Sequence, residues 1–131
     1  MIATGGIPGR GRGAEKRRWA VATVEELPPG GRKVVEVAGR SIGLFNVGGT
    51  IVAVLNVCPH ERVPVCAGRV GGTTLPSPPG TYRWGREGEI LACPMHGWEF
   101  DLLTGKALAH RRKHLLRFPV AVEDGHVFVT V

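Results

Sequence analysis

Two short segments of this 131-residue chain carry the side chains best suited to chemistry, Cys58-Pro59-His60 and Cys93-Pro94-Met95-His96. Each offers one thiol and one imidazole within a tight turn, and each is flanked by a run that reads as β-strand. Thiolates select soft metals and imidazole suits iron and zinc, so the two segments point to a metal centre. Structural zinc sites usually pair Cys with Cys and His with His along the chain, whereas each segment here mixes the two as C-x-H and C-x-x-H. A tetrahedral zinc site stays open on these residues alone. The alternative is a two-iron, two-sulfide cluster with both cysteines on one iron and both histidines on the other. A c-type haem needs Cys-x-x-Cys-His, which the chain lacks.

The ligand set matters electrically. Two ferric ions, two sulfides, two thiolates and two neutral imidazoles sum to zero charge, against minus two for an all-thiolate cluster. An electron enters the neutral centre more easily, so such centres span about −150 to +300 mV against about −400 mV for plant-type ferredoxins. The second nitrogen of each imidazole lets electron uptake couple to proton uptake. This is equipment for one-electron transfer rather than for making bonds.

The surrounding chain reads as a β scaffold. Its 20 glycines and 10 prolines indicate many turns, and its length suits one domain. Trp19 to Ala22 forms a first strand and Leu27 to Gly31 a rigid turn. Lys33 to Val37 leads through a Gly39-Arg40 turn into Ile42 to Val47, and Gly48-Gly49 is a hairpin signal before a returning strand from Ile51 to Val57. That strand delivers the chain to Cys58. Beyond His96, Trp98 to Asp101 alternates and Leu103 to Lys106 turns. Leu115 to Val122 alternates again, with Leu116, Phe118, Val120 and Val122 expected on one face. Glu123-Asp124-Gly125 turns into a last strand, His126 to Val131, with Val127, Val129 and Val131 aligned. No helix longer than two turns is expected. The fold class is all-β, an antiparallel sandwich or barrel.

The net charge is +6. Arg10, Arg12, Lys16, Arg17 and Arg18 against Glu15 alone give the first 18 residues +4 of it, so the remainder is only mildly basic. Residues 1–17 are read as a disordered, basic, Gly-rich tail. Gly9-Arg10-Gly11-Arg12-Gly13 has neither the strand before it nor the helix after it that a dinucleotide fingerprint needs, and a solvated leader explains it better than RNA binding. No nucleic-acid partner is expected. Nor is a membrane span, since no apolar run approaches the roughly 18 residues required. The run after Arg17-Arg18 is too short for a secretory signal. Three cysteines, two of them in ligand-like motifs, argue against a disulfide framework and for a cytoplasmic setting.

Taken together, Cys58-Pro59-His60 and Cys93-Pro94-Met95-His96-Gly97-Trp98, followed by Glu99-Phe100-Asp101 and the Thr104-Gly105 turn, closely resemble the Rieske iron–sulfur family. The resemblance runs from about Trp19 to Val131 and implies a domain over residues 18–131, with a cluster-binding subdomain of two loops at about 56–101. It implies one [2Fe-2S] cluster, with Cys58 and Cys93 on the inner iron and His60 and His96 on the solvent-facing outer iron. Backbone amides of residues 58–63 and 93–98 would tune it.

The chain departs from the family pattern in three places. Thirty-two residues separate His60 from Cys93, more than is usual in the family's ferredoxins, which places an insert at about 73–86. Its prolines stiffen it, and Tyr82, Arg83, Trp84 and Arg86 are read either as a docking surface or as a solvent loop. The second segment has Met95 where a disulfide partner for Cys66 would be needed, so Cys66 is expected to be a small buried or half-buried thiol. Gly97 is followed by Trp98 rather than by a serine able to donate to cluster sulfur, which favours a potential toward the low end of the range. His110 and His114 have i,i+4 spacing, but Arg111, Arg112 and Lys113 between them favour an exposed basic patch that steers an acidic partner over a second metal site.

The functional expectation is an electron-transfer component with no catalytic residues of its own. It would receive electrons from a flavin-dependent reductase and feed a terminal oxygenase or related oxidoreductase. The alternative is a small iron–sulfur subunit of a nitrite-reductase-like or other oxidoreductase complex. A catalytic Rieske oxygenase needs a further domain with a mononuclear iron, and the 35 residues after His96 leave no room for one in this sequence.

Overall fold

A computed structural model describes residues 16–59, 62–95, 97–110 and 112–131. The chain divides into two compact units, one built from residues up to Asn56 together with Leu116–Val131, the other from Val57–Leu115. Both are antiparallel β structures, as the sequence implies. Among the described residues the helical segments are two single 3-10 turns, Val24–Glu26 and Val65–Ala67.

The first unit holds seven strands. β1 (Arg18–Thr23), β2 (Arg32–Val37), β3 (Arg40–Val47) and β4 (Thr50–Leu55) follow in order; the chain later returns as three more strands. β2, β3 and β4 form two successive hairpins. The β3–β4 turn is Gly48-Gly49 with φ of 60° and 103°, the left-handed pair a two-residue hairpin requires. Asn46 steadies it, accepting from the Gly49 N–H at 2.7 Å and donating to the Leu27 carbonyl at 2.7 Å, which accounts for its burial. One sheet adds a short strand, Arg117–Phe118, beside β4; the other has order β1, then His126–Thr130, then Val120–Glu123. The core between these sheets is Ala22, Leu27, Val37, Ile42, Leu44, Ala53, Val127 and Val129.

Two expectations change here. Residues 115–122 are not one alternating strand. Pro119 lacks an N–H for the ladder, and the chain passes from the β4 sheet at Phe118 to the other sheet at Val120. Leu116 and Val122 are therefore exposed, and the buried residue is Leu115. Arg17, assigned to the tail, exchanges hydrogen bonds with Val131 at 3.1 and 3.0 Å. Residues 1–15 of that tail lie outside the described residues.

The second unit is a three-stranded sheet of β5 (Arg69–Leu75), β6 (Arg83–Ala92) and β7 (Glu99–Asp101), in that order. The supposed insert is thus largely the outer half of the β5–β6 hairpin, with residues 76–82 as its tip. Sequence patterning missed both strands because their glycines carry no alternation. Gly72 is sterically required instead. A Cβ on Gly72 would lie 2.4 Å from the Gly85 carbonyl oxygen, and one on Gly85 would lie 2.5 Å from Leu75 Cδ1.

Candidate metal centre

The two ligand loops are built alike. In the first, the Cys58 N–H donates to the Val63 carbonyl at 2.8 Å and the Arg62 N–H donates to the Cys58 carbonyl at 2.7 Å. In the second, the Cys93 N–H donates to the Trp98 carbonyl at 2.8 Å and the Gly97 N–H donates to the Cys93 carbonyl at 3.0 Å. The same two bonds recur at the same offsets. The fourth residue after each cysteine is left-handed, Arg62 at φ 59° and Gly97 at φ 73°. Pro59 and Pro94 follow the cysteines, supplying the fixed φ that opens a tight turn.

Each cysteine therefore has both its amide and its carbonyl bonded inside its own loop, which fixes the direction of its side chain. Cys58 is 0% and Cys93 2% exposed, and neither is in a disulfide. Two buried, unbridged thiols held in equivalent loops fit the thiolate half of the expected [2Fe-2S] ligand set. His60 and His96, the other half, lie outside the described residues. Their places in sequence, two after Cys58 and three after Cys93, fall within the same two loops.

The second loop is seated by a residue that sequence reading missed. A Cβ on Gly68 would lie 1.8 Å from the Ala92 carbonyl oxygen and 3.2 Å from Pro94 Cδ. Only glycine lets the chain after the Val65–Ala67 turn lie against the backbone that enters Cys93. Cys66 sits in that turn and is 1% exposed, a buried thiol as expected. A glycine two residues past a cysteine is too common a pattern to have drawn notice.

Trp98, whose carbonyl closes the second loop, is stacked on His110 with ring centroids 3.5 Å apart and planes 8° from parallel. The other side of the loop meets the core through Phe100, 6.4 Å from Trp98. His110 and His114 are not on a helix. Their segment is a turn closed by the Lys113 N–H on the His110 carbonyl at 2.9 Å, with His114 bridged to Lys106. The i,i+4 geometry needed for a shared metal is absent, and His110 instead packs on the ligand loop.

Arg86 is not a free docking charge either. Its guanidinium bonds Glu89 and Asp101, each at 2.8 Å. It is reached by a left-handed Arg86 (φ 58°) at the start of a four-residue excursion of β6, where Arg86 to Glu89 stand opposite Gly72 alone. Burial pushes the Asp101 carboxyl up, but the Arg86 hydrogen bond and the Leu103 N–H outweigh it and hold it below the usual carboxylate range. Trp84 donates to Glu87 at 2.8 Å, and Tyr82 is 70% exposed at the hairpin tip.

Comparison with known proteins agrees with this geometry. The family profile for the Rieske [2Fe-2S] domain matches residues 17–119. The 3-phenylpropionate/cinnamic acid dioxygenase ferredoxin subunit of Photorhabdus laumondii is 34% identical over 112 residues, covering 85% of this chain and 91% of that protein. Among solved structures, the ferredoxin of carbazole 1,9a-dioxygenase from Nocardioides aromaticivorans IC177 aligns with a TM-score of 0.67 at 23% identity, over 86% of this chain and 95% of that one. A structure assigned as an NADH-dependent nitrite reductase small subunit from Mycobacterium tuberculosis aligns at 0.68 and 22% identity, over 88% and 96%. The structural likenesses are of fold.

Proposed function

The chain belongs to the Rieske [2Fe-2S] family, and from that premise we propose that it is a ferredoxin component, carrying single electrons from a flavin-dependent reductase to a terminal oxygenase or related oxidoreductase. The observation that carries this reading is the match at 34% identity along 91% of a dioxygenase ferredoxin subunit. The likeness to a nitrite reductase small subunit is at 22% identity and supports the shared fold only.

In this reading Cys58 and Cys93 hold one iron and His60 and His96 the other. When bound, the cluster supplies a one-electron couple whose oxidised form, counted with its ligands, carries no net charge. The residues around it do the rest. The closed hydrogen-bond rings at Cys58 and Cys93 keep the ligand backbone from relaxing when the charge changes, because neither amide nor carbonyl is free to reorient. Burial of both thiols excludes water from the sulfur side. Exposed Pro94 and Met95 leave the second loop accessible to a partner. Three unbridged cysteines suit a reducing, cytoplasmic setting. No helix among the described residues is long and apolar enough to cross a membrane.

The test is direct. Purified protein is expected to be red-brown with two irons per chain, and after reduction to give an electron paramagnetic resonance signal averaging below the free-electron value. Cys58→Ser and Cys93→Ser should each abolish the colour. A flavin reductase with NADH should reduce the wild type, and the reduced protein should support turnover by a Rieske oxygenase. Colourless protein holding one zinc would refute the reading.

A further inference from the structure

Among the described residues of the second unit, seven Arg and Lys side chains stand against four carboxylates. Among the described residues its carboxylates are Glu87, Glu89, Glu99 and Asp101, and each is engaged internally: Glu87 by the Trp84 N–H, Glu99 by the Thr73 hydroxyl at 2.8 Å, Glu89 and Asp101 by Arg86. Its other basic groups are not engaged in this way. Arg62, Arg69, Arg83, Lys106, Arg112 and Lys113 are all exposed, with no ion pair among the described residues.

Most of these charges are tied to the ligand loops. Arg62 is the left-handed residue whose N–H closes the Cys58 loop. Arg69 pairs across the sheet with Ala92, the residue before Cys93. Arg112 and Lys113 belong to the turn that His110 anchors on Trp98. In and beside the two loops, Val57, Pro94 and Met95 are exposed, the last by 54%. A small apolar centre with a charged rim is the composition of a transient protein interface, and redox encounters sit at the small end of interface size.

We propose that this basic surface is the docking face of the cluster end and that its occupant is an acidic face of a protein redox partner. The proposal rests on the electron-transfer reading above and adds the sign of the partner's charge. Its consequence is kinetic. Fixed positive charge at the electron exit raises the local concentration of negatively charged partners and speeds encounter, an advantage that salt removes.

The experiment uses the full-length holoprotein and two small oxidants of opposite charge. Protein reduced by dithionite is mixed in stopped flow with ferricyanide, which takes one electron to become ferrocyanide, or with hexaammineruthenium(III), which takes one to become the ruthenium(II) ion. The ferricyanide rate should fall as ionic strength rises and the ruthenium rate should climb. Arg62→Glu should slow ferricyanide at least about threefold at low salt and speed ruthenium, and Arg112→Glu with Lys113→Glu, which changes twice the charge, should do both by a larger factor. Arg10→Glu with Arg12→Glu carries the same charge change in the N-terminal segment and should alter either rate less than about twofold. Poly-L-glutamate should slow the ferricyanide reaction of the wild type and leave the Arg112→Glu/Lys113→Glu variant unaffected. Rates insensitive to salt, or equal effects from the N-terminal control, would overturn the proposal. So would binding to a short DNA duplex or to phosphatidylglycerol vesicles, at about physiological salt, that the Arg112→Glu/Lys113→Glu pair abolishes. A chain without iron or visible colour gives no reoxidation signal at all, which fails the electron-transfer reading and not the surface.

Discussion

Gly68 makes the sharpest claim about how the ligand loops are held. Replacing it with alanine puts a methyl carbon 1.8 Å from the Ala92 carbonyl oxygen and 2.9 Å from the Ala92 carbonyl carbon. A carbon and an oxygen rest no closer than about 3.3 Å, so roughly 1.5 Å of overlap has to be relieved. No rotamer can relieve it, because both partners are backbone. Either the chain at Gly68 or the strand end at Ala92 must move, and Ala92 is bonded directly to Cys93. Overpacking of this kind costs about 1–3 kcal/mol, which in a domain of this size lowers the melting temperature by about 4–12 °C. Gly71, three residues further on in β5, is the control: a Cβ there meets only the flexible end of Glu87, at 3.4 Å. Both variants should be purified from iron-supplemented cultures and compared for iron per chain, visible absorbance and thermal melting. Gly68→Ala should lose iron and melt well below wild type while keeping a β-type circular dichroism spectrum; Gly71→Ala should keep its iron. If Gly68→Ala binds iron and melts like Gly71→Ala, the close approach does not position the second loop and the reasoning fails.

Three further outcomes follow from the same structure. Arg86→Met leaves part-buried Asp101 and Glu89 without their cation and should cost about 1–3 kcal/mol at neutral pH. Because Asp101 is held below its usual range in the folded protein, that stabilisation is complete above the ordinary carboxylate value and disappears as pH falls through the lowered one. The melting gap between wild type and Arg86→Met should therefore narrow in acid, below about pH 4. Cys66→Ala removes a buried thiol that the ligand reading does not use, and should retain full iron and an unchanged visible spectrum while melting slightly lower. Replacing Pro76–Tyr82 with Asn-Gly joins the paired residues Leu75 and Arg83 by a two-residue turn, and should leave iron content and cluster spectrum intact.

The contrast between the two units explains what could be read early. In the first unit, β2 alternates inward Lys33, Val35 and Val37 with outward Arg32, Val34 and Glu36, and Gly48-Gly49 can do little else between two apolar runs. Period and turn chemistry are local properties, and they were legible. In the second unit, β5 and β6 are held by close glycine contacts and by a bulge that aims Arg86 at Asp101, and neither leaves a periodic trace. The break at Pro119 was visible as a proline, yet which sheet each side joins depends on partners distant in the chain. His110 shows the same limit. Its neighbours in sequence are cations, while its neighbour in space is Trp98.

From its sequence alone the chain declares the chemistry: two Cys/His segments whose donor types admit iron or zinc, set in an all-β chain whose motifs resemble one family. Those are matters of residue identity and short spacing, which survive without a fold. The tertiary structure decided that the two cysteine loops close with the same hydrogen bonds, that Gly68 seats the second of them, and that Arg86 is held by Glu89 and Asp101 while the second unit's other described Arg and Lys side chains are exposed. Each of these depends on which backbone passes within a few ångströms of which side chain, and distance along the chain does not contain that information.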